Sequence, residues 1–263
     1  MPLIDINSLF SLDGKTALVT GGSRGIGRMI AEGYLRSGAR VYISARKQEA
    51  CDRAADELSR FGTCVSLPAD VSTPEGRSGL VQALAGREKS LDILVNNAGT
   101  NWAAPYDRFP ETGFRKVVDV NLTAVFFLTR DLTPMLERAA KSSDPARVIN
   151  IGSMDGIHVP SVIPTGVFAY AASKAGVHHL SRCLALELGP RHITVNAIAP
   201  GYFESKMTEE VLLRHGEAIR SACPLGRIGQ PEEMAGVAIY LASRAGAYTN
   251  GAVIPVDGGT CVG

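Results

Sequence analysis

The sequence predicts an α/β fold built on a doubly wound parallel sheet, and three features carry that prediction. Residues 91–95 and 148–151 are predominantly apolar runs, as strands covered on both faces require. Such runs alternate with helical stretches, the pattern of parallel strands joined by crossover helices. A glycine-rich turn links the first strand to the first long helix. No linker, repeat or low-complexity run interrupts the pattern, so a single domain is expected over all 263 residues.

The first strand, residues 15–20, runs directly into Gly21-Gly22-Ser23-Arg24-Gly25-Ile26-Gly27. A helical pattern follows to Arg36 and stops at Ser37-Gly38. Strand, glycine turn and helix in that order form a cradle for a pyrophosphate. Gly21 suits the tight turn, Gly25 leaves room for phosphates, and Gly27 lets the helix pack closely on the strand. The N-terminal amides of that helix face the anion. Ser23, Arg24 and Ile26 join the three glycines as candidate cofactor contacts. The T-G-x-x-x-G-x-G spacing is one residue longer than G-x-G-x-x-G.

The second strand, residues 40–45, ends where a dinucleotide-binding fold holds the adenosine ribose. A carboxylate there accepts from the 2′-hydroxyl and selects NAD. This chain has Ala45 followed by Arg46 and Lys47. Nothing negative repels a 2′-phosphate, and the guanidinium groups of Arg46 and Arg24 can bind one through charge-assisted hydrogen bonds. NADP(H) is therefore the expected cofactor.

Tyr170-Ala-Ala-Ser-Lys174 sets a phenol and an ammonium four residues apart, on one face of a predicted helix. A lysine beside a phenol favours the phenolate, so the Tyr170 pKa is expected to fall from ~10 towards neutrality. Tyr170 then suits proton donation to an oxygen on a substrate carbonyl, or proton acceptance in reverse. Alone the motif is weak, since a solvated helix face explains most chance occurrences. The glycine turn gives it weight.

Together these residues resemble the short-chain dehydrogenase/reductase family, over nearly the whole chain. Further marks follow in order: Asp70 after the third strand, Asn96-Asn97-Ala98-Gly99 after the fourth, Asn121 in a later helix, Ser153 after residues 148–152, and Pro200-Gly201 after residues 193–199. Within the family the chain most resembles NADPH-dependent 3-oxoacyl reductases, the rhamnolipid-type branch included. The likeness rests on Ala45-Arg46, residues 91–100, residues 146–153 and the closing residues 253–259. The resemblance implies a Rossmann sheet of about seven strands with helices on both faces. It implies that Ser153 hydrogen-bonds the substrate oxygen and that Tyr170 passes it a proton. Lys174 would bind the nicotinamide ribose and lower the tyrosine pKa, and Asn121 would hold a water between Lys174 and solvent. Asp70 and Val71 would flank the adenine, with Asn97, Ala98 and Gly99 lining the cofactor and Ile151 near the nicotinamide. Pro200, Gly201 and Ser205 would hold the carboxamide, with Ser205 standing where many relatives have threonine.

One stretch departs from the family. Residues 154–169, between Ser153 and Tyr170, are longer than usual and carry Pro160, Pro164, Val159, Val162, Ile163 and Phe168. Prolines restrict the backbone, so this loop is expected to wall a pocket for apolar ketones; burial against a neighbouring subunit is the other reading. Residues 202–225 are expected to form a mobile lid that excludes water on closing.

Composition bounds the rest. A net charge of +1 leaves no electrostatic footprint for nucleic acid or an anionic membrane. No run is long enough to cross a bilayer, and the N-terminus lacks a signal-like apolar core. Five cysteines without C-x-x-C spacing read as reduced thiols in a cytoplasmic protein. Adjacent His178 and His179 point in different directions, which suits surface or packing roles and makes no metal site. By resemblance, a homotetramer is expected. Two functional classes stay open: an NADPH-dependent reductase of a small-molecule ketone, or an NADP(H)-binding regulatory protein with little turnover. The intact Asn121, Ser153, Tyr170 and Lys174 set favours the reductase.

Overall fold

In the computed structural model, which describes residues 5–159 and 166–262, seven parallel strands form one sheet in the order β3-β2-β1-β4-β5-β6-β7. The strands are β1 (Thr16–Thr20), β2 (Arg40–Ser44), β3 (Cys64–Ser66), β4 (Ile93–Asn96), β5 (Ala146–Ile151), β6 (Ile193–Pro200) and β7 (Val253–Val256). Among the described residues nine α-helices accompany them: α1 (Ile6–Phe10), α2 (Gly25–Arg36), α3 (Gln48–Leu58), α4 (Pro74–Ala85), α5 (Glu111–Val118), α6 (Ala124–Ala139), α7 (Phe168–Leu188), α8 (Glu209–Ala222) and α9 (Pro231–Ala242). The doubly wound sheet expected from sequence is the observed one.

Strand periodicity divides the interior in two. In β1, Ala17 and Val19 face one core while Leu18 faces the other; in β4, Ile93 and Val95 part from Leu94 in the same way. The first core receives α2, α3 and α9 through Ile30, Cys51 and Met234. The second receives α4, α6 and α7 through Leu80, Leu128 and Leu184. Both faces are covered, which is why these strands read as apolar runs rather than alternating ones. Buried polar groups are tied across elements. The Tyr34 hydroxyl donates to the Ala238 carbonyl at 3.2 Å, joining α2 to α9. Asn96 donates to Asn150 at 2.8 Å, and Asn150 donates to the Ser181 hydroxyl at 2.9 Å, fixing β4, β5 and α7 together.

The chain reverses its winding direction between β1 and β4. A crevice opens there at the carboxyl ends of the strands, the general position for ligands in such sheets. Each strand of the central group leads straight into residues singled out from the sequence: Gly21 after β1, Arg46 after β2, Asn97 after β4, Ser153 after β5 and Gly201 after β6.

Candidate active site

The crevice is a cleft of about 340 Å³. Gly21, Ser23, Arg24, Gly25 and Ile26 form its floor, and Arg46 stands at one end with Asp70 and Val71. Ala98, Gly99, Ile151 and Asn97 line its middle, and Ser153, Tyr170 and Lys174 lie beside Pro200, Gly201 and Ser205 at the other end. Of the candidate residues, Gly27 and Asn121 lie outside the lining; both are buried behind it.

The glycine turn is shaped for an incoming anion. Gly21 has φ of +66°, which a residue with a side chain rarely adopts. A Cβ on Gly27 would collide with the Asn97 amide and the Gly21 carbonyl. Asn97 is what holds this turn: its Nδ2 donates to the Thr20 carbonyl at 2.9 Å and to that of Gly21 at 3.1 Å. The Thr20 hydroxyl accepts in return from the backbone of Asn97 and Ala98, both at 3.0 Å. Arg24 in the turn and Arg46 after β2 are exposed and enter no ion pair among the described residues. Two unpaired guanidinium groups beside Ala45 fit a 2′-phosphate, and the turn fits a pyrophosphate. Lys47 and Lys206 also line the cleft and were not singled out from sequence, because isolated lysines carry no spacing signal.

At the other end three elements converge. Ser153 follows β5 in extended geometry, and its hydroxyl accepts from the Asp155 backbone at 3.2 Å. Tyr170 and Lys174 lie one turn apart on α7. The Lys174 ammonium donates to the Ile151 carbonyl at 2.7 Å, and burial pulls its pKa down to about 8. Asn121 occupies a π-helical turn, Asp119–Thr123, between α5 and α6; such turns recur at functional sites. Its side chain donates to the Thr100 carbonyl and the Ser173 hydroxyl, both at 3.0 Å, and accepts from the Thr100 amide at 2.9 Å.

Two expectations need correction. The Tyr170 pKa is not lowered: burial pushes it up to about 12, with the negative field of Asp155 and the nearby Tyr202 adding to burial, against the Ser153 hydroxyl. Helical spacing put the lysine on the right face, but its ammonium lies 5.6 Å from the phenol ring centroid and is engaged by the β5 carbonyl. The pocket-wall role expected of residues 154–169 is also only partly met. Val159 is exposed, and Phe168 packs edge-on against Tyr106 and Phe109, away from both cavities. Pro160, Val162, Ile163 and Pro164 lie outside the described residues.

Beyond Ser153 a second chamber of about 620 Å³ adjoins the cleft, with Phe203 common to both. Tyr202, Ile219, Cys223 and Leu225 from the segment 202–225 form much of its wall, opposite Met154 and His158. A surface or packing role is what the sequence predicts for His178. It is buried under the serine, with Nε2 3.4 Å from the Ser153 nitrogen. Its signal was available, since it falls one turn after Lys174 on the same face.

A glycine cradle at a topological switch point, with a serine, a tyrosine and a lysine at its far end, defines a dinucleotide-dependent oxidoreductase. Comparison with known proteins agrees. The enoyl-(acyl carrier protein) reductase family model matches residues 21–261. A rhamnolipids biosynthesis 3-oxoacyl-(acyl-carrier-protein) reductase from Pseudomonas aeruginosa is 52% identical over 252 residues, 95% of this chain and 97% of the relative. A 5-keto-D-gluconate 5-reductase from Escherichia coli K12 is 36% identical over 264 residues, 98% of this chain and 99% of the relative. Among solved structures, a Pseudomonas aeruginosa RhlG/NADP active-site complex superposes with a TM-score of 0.93 at 51% identity, covering 97% of this chain and 99% of that one. The chain belongs to the short-chain dehydrogenase/reductase family of oxidoreductases.

Proposed function

We propose that this protein is an NADPH-dependent ketone reductase with Tyr170 as the proton donor. The observation that carries the reading is that Ser153, Tyr170 and Lys174 line the same cleft as the glycine turn and two unpaired arginines. The reduced nicotinamide, when bound, supplies the hydride for the carbonyl carbon. Ser153 holds the carbonyl oxygen as charge develops on it. Tyr170 hands that oxygen its proton. A buried phenol held neutral up to about 12 arrives protonated, and an alkoxide is far more basic than a phenolate, so the transfer runs towards the alcohol. Lys174 orients the nicotinamide ribose, and with its pKa at about 8 it can exchange a proton near neutrality. Both amide donors of Asn121 are engaged and its oxygen already accepts from the Thr100 amide, so in this reading the water sits on its main-chain carbonyl in the π-turn.

Segment 202–225 is the substrate lid in this reading, supported by its share of the chamber wall. The protein acts as a homotetramer in the cytoplasm. Apolar side chains exposed on α6 and α7, Phe126 and Leu186, support the assembly, and five free cysteines support the compartment. None of the described helices is long and apolar enough to cross a membrane. Mixing the protein with NADPH and a panel of ketones tests the activity. Cofactor oxidation supports the reductase, and tight NADPH binding without turnover on any ketone contradicts it.

A further inference from the structure

The ladder that joins β5 to β6 runs out just before the serine. Ile151 is the last residue of β5 paired with β6, and the Gly152 amide still donates to the Ile198 carbonyl at 2.7 Å. The next amide, that of Ser153, donates to no strand carbonyl among the described residues. Ser153 is only 6% exposed, so this N–H needs a partner from the protein. The partner is an imidazole. His178, on α7 and itself buried, brings Nε2 to 3.4 Å from the Ser153 nitrogen. A backbone amide only donates, which makes Nε2 the bare nitrogen and assigns the ring hydrogen to Nδ1. Burial favours the same neutral ring. The steps of the reduction use this group nowhere, and it lines neither the cleft nor the chamber.

Helical spacing gives the contact its consequence. Tyr170, Lys174 and His178 recur at intervals of four, so α7 carries all three along one face. Lys174 donates to the Ile151 carbonyl at 2.7 Å, and His178 accepts from the Ser153 amide two residues further on. The end of β5 is therefore held at two points by the helix that also carries the proton donor. Gly152 has no Cβ where the ring passes, which lets strand and helix come close enough for the second bond. A serine tied to α7 in this way keeps its spacing from the Tyr170 hydroxyl, and one whose amide is released is free to drift from it.

Resting on the reductase reading above, we propose that His178 is a positioning residue for the reaction. Its imidazole takes up the amide that the sheet leaves unpaired and so sets the Ser153 hydroxyl in register with that of Tyr170. The ring acts through the serine and meets neither ketone nor cofactor.

The test compares His178→Leu, which fills the space without accepting, with His178→Gln, whose side-chain oxygen can accept. With NADPH and the best ketone of a panel, His178→Leu should lose roughly 10- to 100-fold in kcat and equally in kcat/KM, the size expected when a reacting group is misplaced. The ketone KM and the NADPH affinity by fluorescence should stay near their wild-type values, and His178→Gln should recover most of the lost kcat. Wild-type kcat in His178→Leu, with only a lower melting temperature, overturns the proposal, as does an equal loss of kcat in the two variants. Nitrogen NMR of the wild type, isotope-labelled at histidine, gives a second reading that needs neither turnover nor a folded leucine variant. The imidazole signal that disappears in His178→Gln should be that of a ring with a bare Nε2, and a hydrogen on Nε2 overturns the proposal. Failure of the wild type to oxidise NADPH with any ketone sinks the reductase reading itself, a result distinct from these.

Discussion

The Nε2 of His178 lies 3.4 Å from the backbone nitrogen of Ser153, so a buried imidazole accepts from the backbone that positions the serine hydroxyl. The fit is tight on both sides of the serine. A Cβ on Gly152 would run into His178 Nε2, and one on Gly156 would come within 2.8 Å of its Cε1. The ring must stay neutral to accept, and burial, with the charge of Lys174 next, pulls its pKa down from 6.5 to about 4.

That shift sets a pH dependence of stability. Between about 4 and 6.5 the unfolded chain binds a proton at this site and the folded chain does not. Stability therefore rises with pH across the window and is lost as acid is added. Denaturant melts at a series of pH values should show this limb in the wild type and a flatter one in His178→Gln. Identical acid limbs in the two proteins would show that the imidazole is not held neutral.

Tyr170→Phe keeps the ring and removes the proton. Turnover should fall by about 10²- to 10⁴-fold, the usual size of a positioned general acid's contribution. NADPH affinity, measured by fluorescence titration, should change little, since the glycine turn and the arginines are untouched. A variant with wild-type kcat would remove Tyr170 from its assigned role.

Arg46→Glu combined with Arg24→Ala should reverse the charge that favours a 2′-phosphate. Losing charge-assisted hydrogen bonds of about 1.5–3 kcal/mol lowers the NADPH-over-NADH ratio of kcat/KM by roughly 10- to 100-fold. Steady-state kinetics with both cofactors reads the ratio directly. A ratio that does not move would place the phosphate elsewhere.

Gly27→Ala should push α2 off the turn, because its Cβ has nowhere to go between Asn97 and Gly21. Destabilisation of about 1–3 kcal/mol is expected from such overpacking, together with weaker cofactor binding. Gly79, on α4, has nothing within 4 Å of an added Cβ. Gly79→Ala should instead stabilise the protein by roughly 0.5–1 kcal/mol. Thermal melts of the two variants with and without NADPH separate a local clash from a general intolerance of alanine.

The sequence by itself determined the doubly wound sheet, the glycine cradle and the spacing of Tyr170 and Lys174, while Ser153 came only through resemblance to the family. Each is written in local order: a strand's apolar run, a turn that only glycine tolerates, two residues on one helical face. Tertiary structure decided the electrostatics. Whether Lys174 meets the phenol or the Ile151 carbonyl depends on how α7 seats against β5, and that seating leaves Tyr170 at about 12 instead of near neutrality. It also decided that the Asp155 amide donates to the Ser153 hydroxyl, that His178 lies beneath that serine, and that Tyr202 and Leu225 face Met154 across a chamber. Chain order cannot carry such facts, because a charge's energy depends on which distant segments exclude water from it and which donors they bring.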